Sequence, residues 1–386
     1  MPELVIKGWP AILLAFVGAV SITWYYLPKV LKVVNERHLS DKPGKHKIHK
    51  KEIPTLGGIG IFAGFIFGFL MGVNGYMHYV SYFTAGAMLL FFIGIKDDLV
   101  YINPWKKLAA EVGTALIIAL FTDLHFTSLH GFLGIQSLPV WVYYFITVFI
   151  IVLIINALNL IDGIDGLAAS IGIIASVAFG IWFFLSGDYG YTIMAAALVG
   201  ALIVFLFYNI SDGPKKIFMG DTGSLVIGFT MAVFAIRFNE IDAAGKSFYD
   251  LQSTPAVSIA FLIVPLYDTL RVIILRFHNH QSFFVADNRH IHHMMLRAGF
   301  THKRATLYIS IFSILMIALA LLLDGIGILW LGLVLLAICG IATTVLTEVV
   351  KRKEAVAAAT AGAKAVRKQE LTGEVTEMAP GVPGAN

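Results

Sequence analysis

The chain has 386 residues, 58% of them hydrophobic and only 13% charged, with a mean hydropathy of +0.82. That composition describes a polytopic membrane protein and excludes a soluble enzyme built on one large core. The single cysteine, Cys339, excludes a disulfide framework and a thiolate metal site, and reads as a small packing residue. The formal net charge of +4 says little until its distribution is read.

A spanning helix needs roughly 20 mostly apolar residues. Eleven candidate spans follow in chain order: 9–28, 53–73, 80–95, 106–122, 139–157, 164–185, 191–208, 222–238, 256–275, 305–323 and 326–348. Membrane β-strands would be shorter and would alternate in polarity, which these runs do not. The first run lacks a basic N-terminus and a small-x-small cleavage site, so it is kept as a helix rather than a signal peptide. The second carries Gly60, Gly64, Gly68 and Gly72, a ladder that lets another helix approach closely, read as packing inside the bundle ahead of dimerisation. Trp24, Tyr25, Tyr26, Trp141, Tyr143 and Tyr144 read as interfacial anchors. The expected organisation is one membrane domain over 1–350, without an internal repeat, and a tail over 351–386. The tail reads as a short basic helix followed by disorder.

Eleven spans put the termini on opposite sides. One set of loops, with the tail, holds 25 of the 28 Lys and Arg residues, while the other holds Lys7, Arg237 and Lys246. Positive residues favour the cytoplasm, which places the N-terminus outside and the tail inside.

The acids then gather on the cytoplasmic side, at the ends of apolar runs. Ionisable groups at such positions are costly and usually functional, and their convergence suggests a metal and a phosphorylated substrate. Asp97-Asp98 closes the third run, as a solvated helix end or as a pair that splits metal and base roles. Asn156, Asn159, Asp162 and Asp165 recur every third residue, which on a helical turn puts all four on one stripe, for packing or for ligands. Gly163 and Gly166 loosen the backbone there. Asp221, in Phe218-Met-Gly-Asp-Thr-Gly-Ser224, is either a helix cap or a ligand for a hard cation. Its glycines do not form a Walker loop, because the Gly-Lys-Ser/Thr ending is missing. His290-Ile-His292-His293 beside Arg289 fits phosphate binding better than zinc, since no second His or Cys cluster has matching spacing. Asp268 and Arg271, at i and i+3, can simply pair.

Together these segments resemble the polyprenyl-phosphate N-acetylhexosamine-1-phosphate transferase family. The matching pieces are Pro54-Thr-Leu-Gly-Gly-Ile59, Asp97-Asp98, Asn156 to Gly166, Phe218 to Ser224, Pro265-Leu-Tyr-Asp268 and His290 to Phe300, in family order. His-Ile-His-His, rather than three consecutive histidines, is similar to the WecA/TagO branch and unlike the MraY branch. Tyr101 and Ile102 stand where some relatives extend the acidic motif, so only the Asp97-Asp98 pair is carried over. The tail after Lys351 matches no part of the family pattern.

The resemblance implies an all-α enzyme of the bacterial inner membrane, active at its cytoplasmic face. It implies transfer of N-acetylglucosamine 1-phosphate, or another N-acetylhexosamine 1-phosphate, from a UDP-sugar to undecaprenyl phosphate, with release of UMP, to prime an envelope glycan. It puts Mg²⁺, with Mn²⁺ as the alternative, on Asn159 and Asp221. It gives catalytic roles to Asp97, Asp98, His290, His292 and His293. It assigns substrate binding to Lys51, Asn156, Asp162, Asp165, Asn209, Phe218 and Arg289, with Phe218 stacked on uracil. Membrane lipids are expected partners, nucleic acid is not, and a homodimer is left open. The competing class is a secondary transporter, which should show inverted repeats and acids near the midplane. A CDP-alcohol phosphatidyltransferase needs an Arg that Gly166-Leu-Ala-Ala-Ser170 lacks.

Overall fold

A computed structural model describes residues 2–37, 40–41, 53–281 and 289–372. Among the described residues the regular structure is helical but for a two-residue antiparallel pairing of β1 (Ser40–Asp41) with β2 (Ile53–Pro54) and an isolated bridge between Ser128 and Ser137. Its helices are α1 (Pro2–Glu36), α2 (Gly57–Gly72), α3 (Val80–Leu99), α4 (Pro104–Phe121), α5 (Val140–Ile161), α6 (Leu167–Leu185) and α7 (Tyr189–Asn209). They continue with α8 (Gly220–Ala243), α9 (Thr254–Phe261), α10 (Ile263–His278), α11 (Ile291–Arg297), α12 (His302–Leu322) and α13 (Ile328–Thr372).

Every expected span has a helical counterpart, but fewer of these helices are by length and composition able to cross a membrane alone. Among the described residues, eight helices are long and apolar enough to cross a membrane, or nine if α9 and α10 are one broken span. The protein is a multi-pass membrane protein. The two shortfalls have plain causes: α2 is only 16 residues long, and α4 spends its charge tolerance on Lys106, Lys107 and Glu111. The expected straight span over 256–275 is instead bent by 89° at Leu262. Pro265 explains the break. In a continuous helix its ring would strike the carbonyl four residues back, whereas in the first turn of α10 it is tolerated.

α8 is the central post, with nearly all of its residues buried, packed against α2, α3, α5, α6 and α9. Between Thr222 and Ile236 its side chains are apolar or small on every face, as a fully surrounded helix requires. The glycine ladder of α2 lies on α1. A Cβ on Gly64 would strike Thr23 and the carbonyl of Ala19, and one on Gly68 would strike the carbonyl of Ala15. The ladder therefore serves packing inside the bundle, as expected. Cys339 is buried among apolar neighbours. The last helix, α13, runs without a break past residue 350.

Candidate active site at one end of the bundle

The C-terminal ends of α3 and α5 meet the N-terminal ends of α4 and α8. Close approach is possible because Gly94 of α3 and Gly58 of α2 leave room for the backbone of Thr222 and Gly223. The Pro54-to-Ile59 segment holds the approach to α8. Phe218 N donates to Pro54 O at 2.7 Å, Gly57 N to Phe218 O at 2.9 Å, and Gly58 N to Met219 O at 2.8 Å. Gly220 turns the chain at φ +71° directly over the Asp98 carboxylate, where a side chain would clash.

Asp98 is the cap of α8. Its Oδ1 accepts from Asp221 N at 2.8 Å, and its Oδ2 from Thr222 N at 3.0 Å and Thr222 Oγ1 at 2.5 Å. The capping reading offered for Asp221 is thus corrected: a carboxylate from another helix takes the orphan N–H groups, and Asp221 itself points elsewhere.

Asp221 points at Lys107. The Lys107 ammonium donates to Asp221 Oδ2, to Asp97 Oδ2 at 3.3 Å and to Asn159 Oδ1 at 3.3 Å. Asn159 Nδ2 in turn donates to Asp221 Oδ1 at 2.7 Å and Ser224 Oγ at 2.9 Å. The second Asp97 oxygen accepts from Ile102 N at 2.8 Å. Two carboxylates and a carboxamide, from α3, α5 and α8, thus surround one cation. The Asp221 side chain is 30% exposed, so the cluster is reachable from water.

The expected four-residue stripe divides, because α5 stops at Ile161. Asn156 faces α4 and donates to buried Glu111. Asn159 joins the cluster around Asp221. Asp162 lies past the helix end, and Asp165 turns away to accept from Lys216 Nζ at 2.6 Å and pair with His302 Nδ1 at 3.2 Å. Burial alone would raise the Asp165 carboxyl, but the hydrogen bonds from His302 and Lys216 outweigh it and hold it low. Asp162 has no such partner among the described residues. Burial, with the charges of Asp221, Asp98 and Asp165, pushes its pKa up to about 8.

Asn209 is buried between two loops, accepting from Gly166 N at 2.5 Å and donating to Ile217 O at 2.8 Å. It ties the turn after α5 to the segment bearing half-buried Phe218, over whose ring Lys216 Nζ sits 5.7 Å from the centroid. Lys51 lies outside the described residues.

The histidine segment approaches the same turn from the other side. His290 opens α11, and its Nδ1 lies 2.9 Å from Asp268 Oδ2; Ile291 N donates to Asp268 Oδ1 at 3.0 Å. Arg271 donates to Asp268 Oδ1 at 3.1 Å and to the carbonyl of Arg289. Asp268 and Arg271 do pair, and together they also hold the His290 turn. His292 is 2% exposed, and neither ring nitrogen has a partner among the described residues. Its Nε2 sits where a Cβ on Gly163 would be. Burial, reinforced by His293, lowers its pKa to about 3, so the imidazole is neutral. His293 packs beside it, with ring centroids 4.2 Å apart.

Sequence reasoning missed Lys107 and Glu111, although two ionisable residues at i and i+4 in an apolar run were a usable signal. Nothing in the sequence singles out His302 or Lys216. Among the described residues no three His, Cys, Asp or Glu side chains converge on one point. The donor set here counts a carboxamide as its third member, and all its donors are hard oxygens of the kind Mg²⁺ prefers. That a cation already bridges them shows that the cluster can hold positive charge.

The model of glycosyl transferase family 4 matches residues 80–239, which include the Asp97, Asn159 and Asp221 segments. An undecaprenyl-phosphate alpha-N-acetylglucosaminyl 1-phosphate transferase of Escherichia coli (strain K12) is 30% identical over 296 residues, covering 76% of this chain and 78% of the relative. A probable undecaprenyl-phosphate N-acetylglucosaminyl 1-phosphate transferase of Bacillus subtilis (strain 168) is 30% identical over 341 residues, covering 88% and 92%. With similarity of this extent, and with its acidic segments meeting at one end of the bundle, the chain belongs to the polyprenyl-phosphate N-acetylhexosamine-1-phosphate transferase family, in its WecA/TagO-like branch.

Proposed function

We propose that this protein transfers N-acetylglucosamine 1-phosphate, or a related N-acetylhexosamine 1-phosphate, from a UDP-sugar to undecaprenyl phosphate, and so primes an envelope glycan. The observation that carries the reading is the meeting of Asp97, Asn159 and Asp221 oxygens on one ammonium at an end of the bundle. Acids at one end, rather than at the midplane, favour a transferase over a transporter. An oxygen of the lipid phosphate attacks the phosphorus that bears the sugar. The bond from that phosphorus to the uridylate oxygen breaks, and UMP leaves with the electron pair.

Asp221 and Asn159, with Asp97 beside them, are the residues to hold Mg²⁺ or Mn²⁺. When bound there, the cation would neutralise phosphate charge as two anions meet. Asp98 fixes Asp221 by capping its helix. The acceptor phosphate is already largely anionic near neutral pH, so Asp97 positions it more than it deprotonates it. Phe218 offers its ring face to the uracil, and Asp162, Asp165 and Asn209 shape the nucleotide side. His290, oriented by Asp268, and neutral His292 offer ring nitrogens to the pyrophosphate, with His293 and Arg289 beside them.

In the membrane, we place the N-terminus outside and the C-terminus in the cytoplasm, with all eleven segments embedded and the site at the cytoplasmic face of the inner membrane. Loop lysines and arginines cluster on that face, as positive-inside topology requires. There the site can meet a cytosolic nucleotide sugar and a membrane-bound acceptor. The test is UMP release by purified protein in detergent with UDP-N-acetylglucosamine, undecaprenyl phosphate and Mg²⁺. Release should require the lipid, the metal and Asp221. No release from folded protein with any UDP-N-acetylhexosamine would overturn the reading.

A further inference from the structure

Lys107 occupies the place assigned above to a divalent cation. Its ammonium contacts Asp97, Asn159 Oδ1 and Asp221. An ammonium and a divalent cation do not share these oxygens, because like charges a few ångströms apart repel strongly where water is scarce. Lys107 is anchored on α4, so its tip can move only within the reach of one side chain. One helical turn along α4, at i+4, stands Glu111. It is 1% exposed; one carboxylate oxygen accepts from Asn156 Nδ2, while the other, Oε1, is buried and has no partner among the described residues. A carboxylate oxygen left unmatched in an apolar bundle is expensive.

We propose that Glu111 is a positioning residue for Lys107. Its open Oε1 is the berth to which the ammonium withdraws when a divalent cation takes Asp221 and Asn159. Metal entry then exchanges one buried ion pair for another and strands neither Lys107 nor Glu111. Asn156 belongs to the same device, because it holds the other Glu111 oxygen and so leaves Oε1 to the ammonium. The inference rests on the metal-dependent reading of this site. It adds a residue that no sequence motif marks.

Full-length protein in detergent, without nucleotide or lipid, is titrated with Mn²⁺, and the free ion is followed by electron paramagnetic resonance. Glu111→Gln retains an oxygen for Asn156 and removes the anion. Its apparent Kd for Mn²⁺ is expected to rise about tenfold, because the state with Lys107 withdrawn becomes less populated. In a Lys107→Met background the same change should alter Kd by less than about twofold, since no ammonium remains to be housed. Glu111→Asp keeps the charge and should stay within about threefold of the unmodified protein. Unchanged affinity in Glu111→Gln, equal weakening in both backgrounds, or a Glu111→Asp loss as large as that of Glu111→Gln would overturn the proposal. If the unmodified protein shows no Mn²⁺ binding that Asp221→Ala removes, the metal site itself fails, and this inference fails with it.

Discussion

At the Ala243 end of α8, the Glu240 carboxylate accepts from Thr127 N and Thr127 Oγ1 at 2.8 Å each. Asp242 accepts from Ser247 Oγ at 2.8 Å and Thr254 Oγ1 at 2.5 Å, with His130 Nδ1 at 3.4 Å. Asp324 accepts from Gln252 N at 2.9 Å and Ser253 N at 2.8 Å. At the Gly220 end, Asp97 and Asp221 share one ammonium with Asn159, and among the described residues His292 keeps two ring nitrogens without partners. Both ends are rich in acids. At the first, each acid is matched to hydroxyls and backbone N–H groups of a loop it secures. At the second, side chains from three helices converge on one ammonium from a fourth. Polar groups matched locally fix structure; polar groups that converge and stay unmatched mark where a ligand goes.

Substitutions at the two ends should therefore separate turnover from stability. Asp221→Asn is expected to lower lipid-dependent UMP release by about 100- to 1000-fold, the range seen when one preorganised electrostatic group is lost. Asp242→Asn should lower the Tm and leave turnover unchanged. Equal effects on turnover would erase the distinction. Gly163→Ala puts a methyl group on His292 Nε2 and should cut kcat by about 10- to 100-fold through misplacement of the ring. Undiminished kcat in that variant would make His292 a packing residue.

Asp324→Ala leaves the N–H groups of Gln252 and Ser253 unpaired and should cost about 1–3 kcal/mol in denaturant titrations, with kcat intact. At Asp162 the expected effect depends on pH. Its folded pKa of about 8 lies above its ordinary 3.8, so the unfolded chain gives up this proton first as pH rises. Stability is therefore full below about 3.8 and is lost progressively up to about 8. Asp162→Asn should accordingly raise the Tm of metal-free protein at pH 7 and leave it unchanged at pH 4. An equal gain at both values would assign the effect to packing.

Much of this was legible along the chain. The apolar runs located every long helix, since greasy segments of that length have few other folds open to them. The glycine ladder of α2 announced a close helix neighbour, which proved to be α1. The break at Leu262 was legible in Pro265 but was overlooked, because hydropathy averages across it. The spacing of Asn156, Asn159, Asp162 and Asp165 suggested one stripe, and it divided because α5 ends at Ile161. Periodicity holds only while the helix lasts.

The sequence by itself determined the class of the molecule, the place of its helices and the segments that carry chemistry, because hydrophobicity and residue type are local properties. Only the tertiary structure decided partners. It set Asp98, and not Asp221, as the cap of α8, and it put Lys107 among Asp97, Asn159 and Asp221. It left Glu111 with an open oxygen and pressed His292 against Gly163. Those relations join residues up to more than a hundred positions apart. They depend on how helix ends stack, which no local pattern encodes.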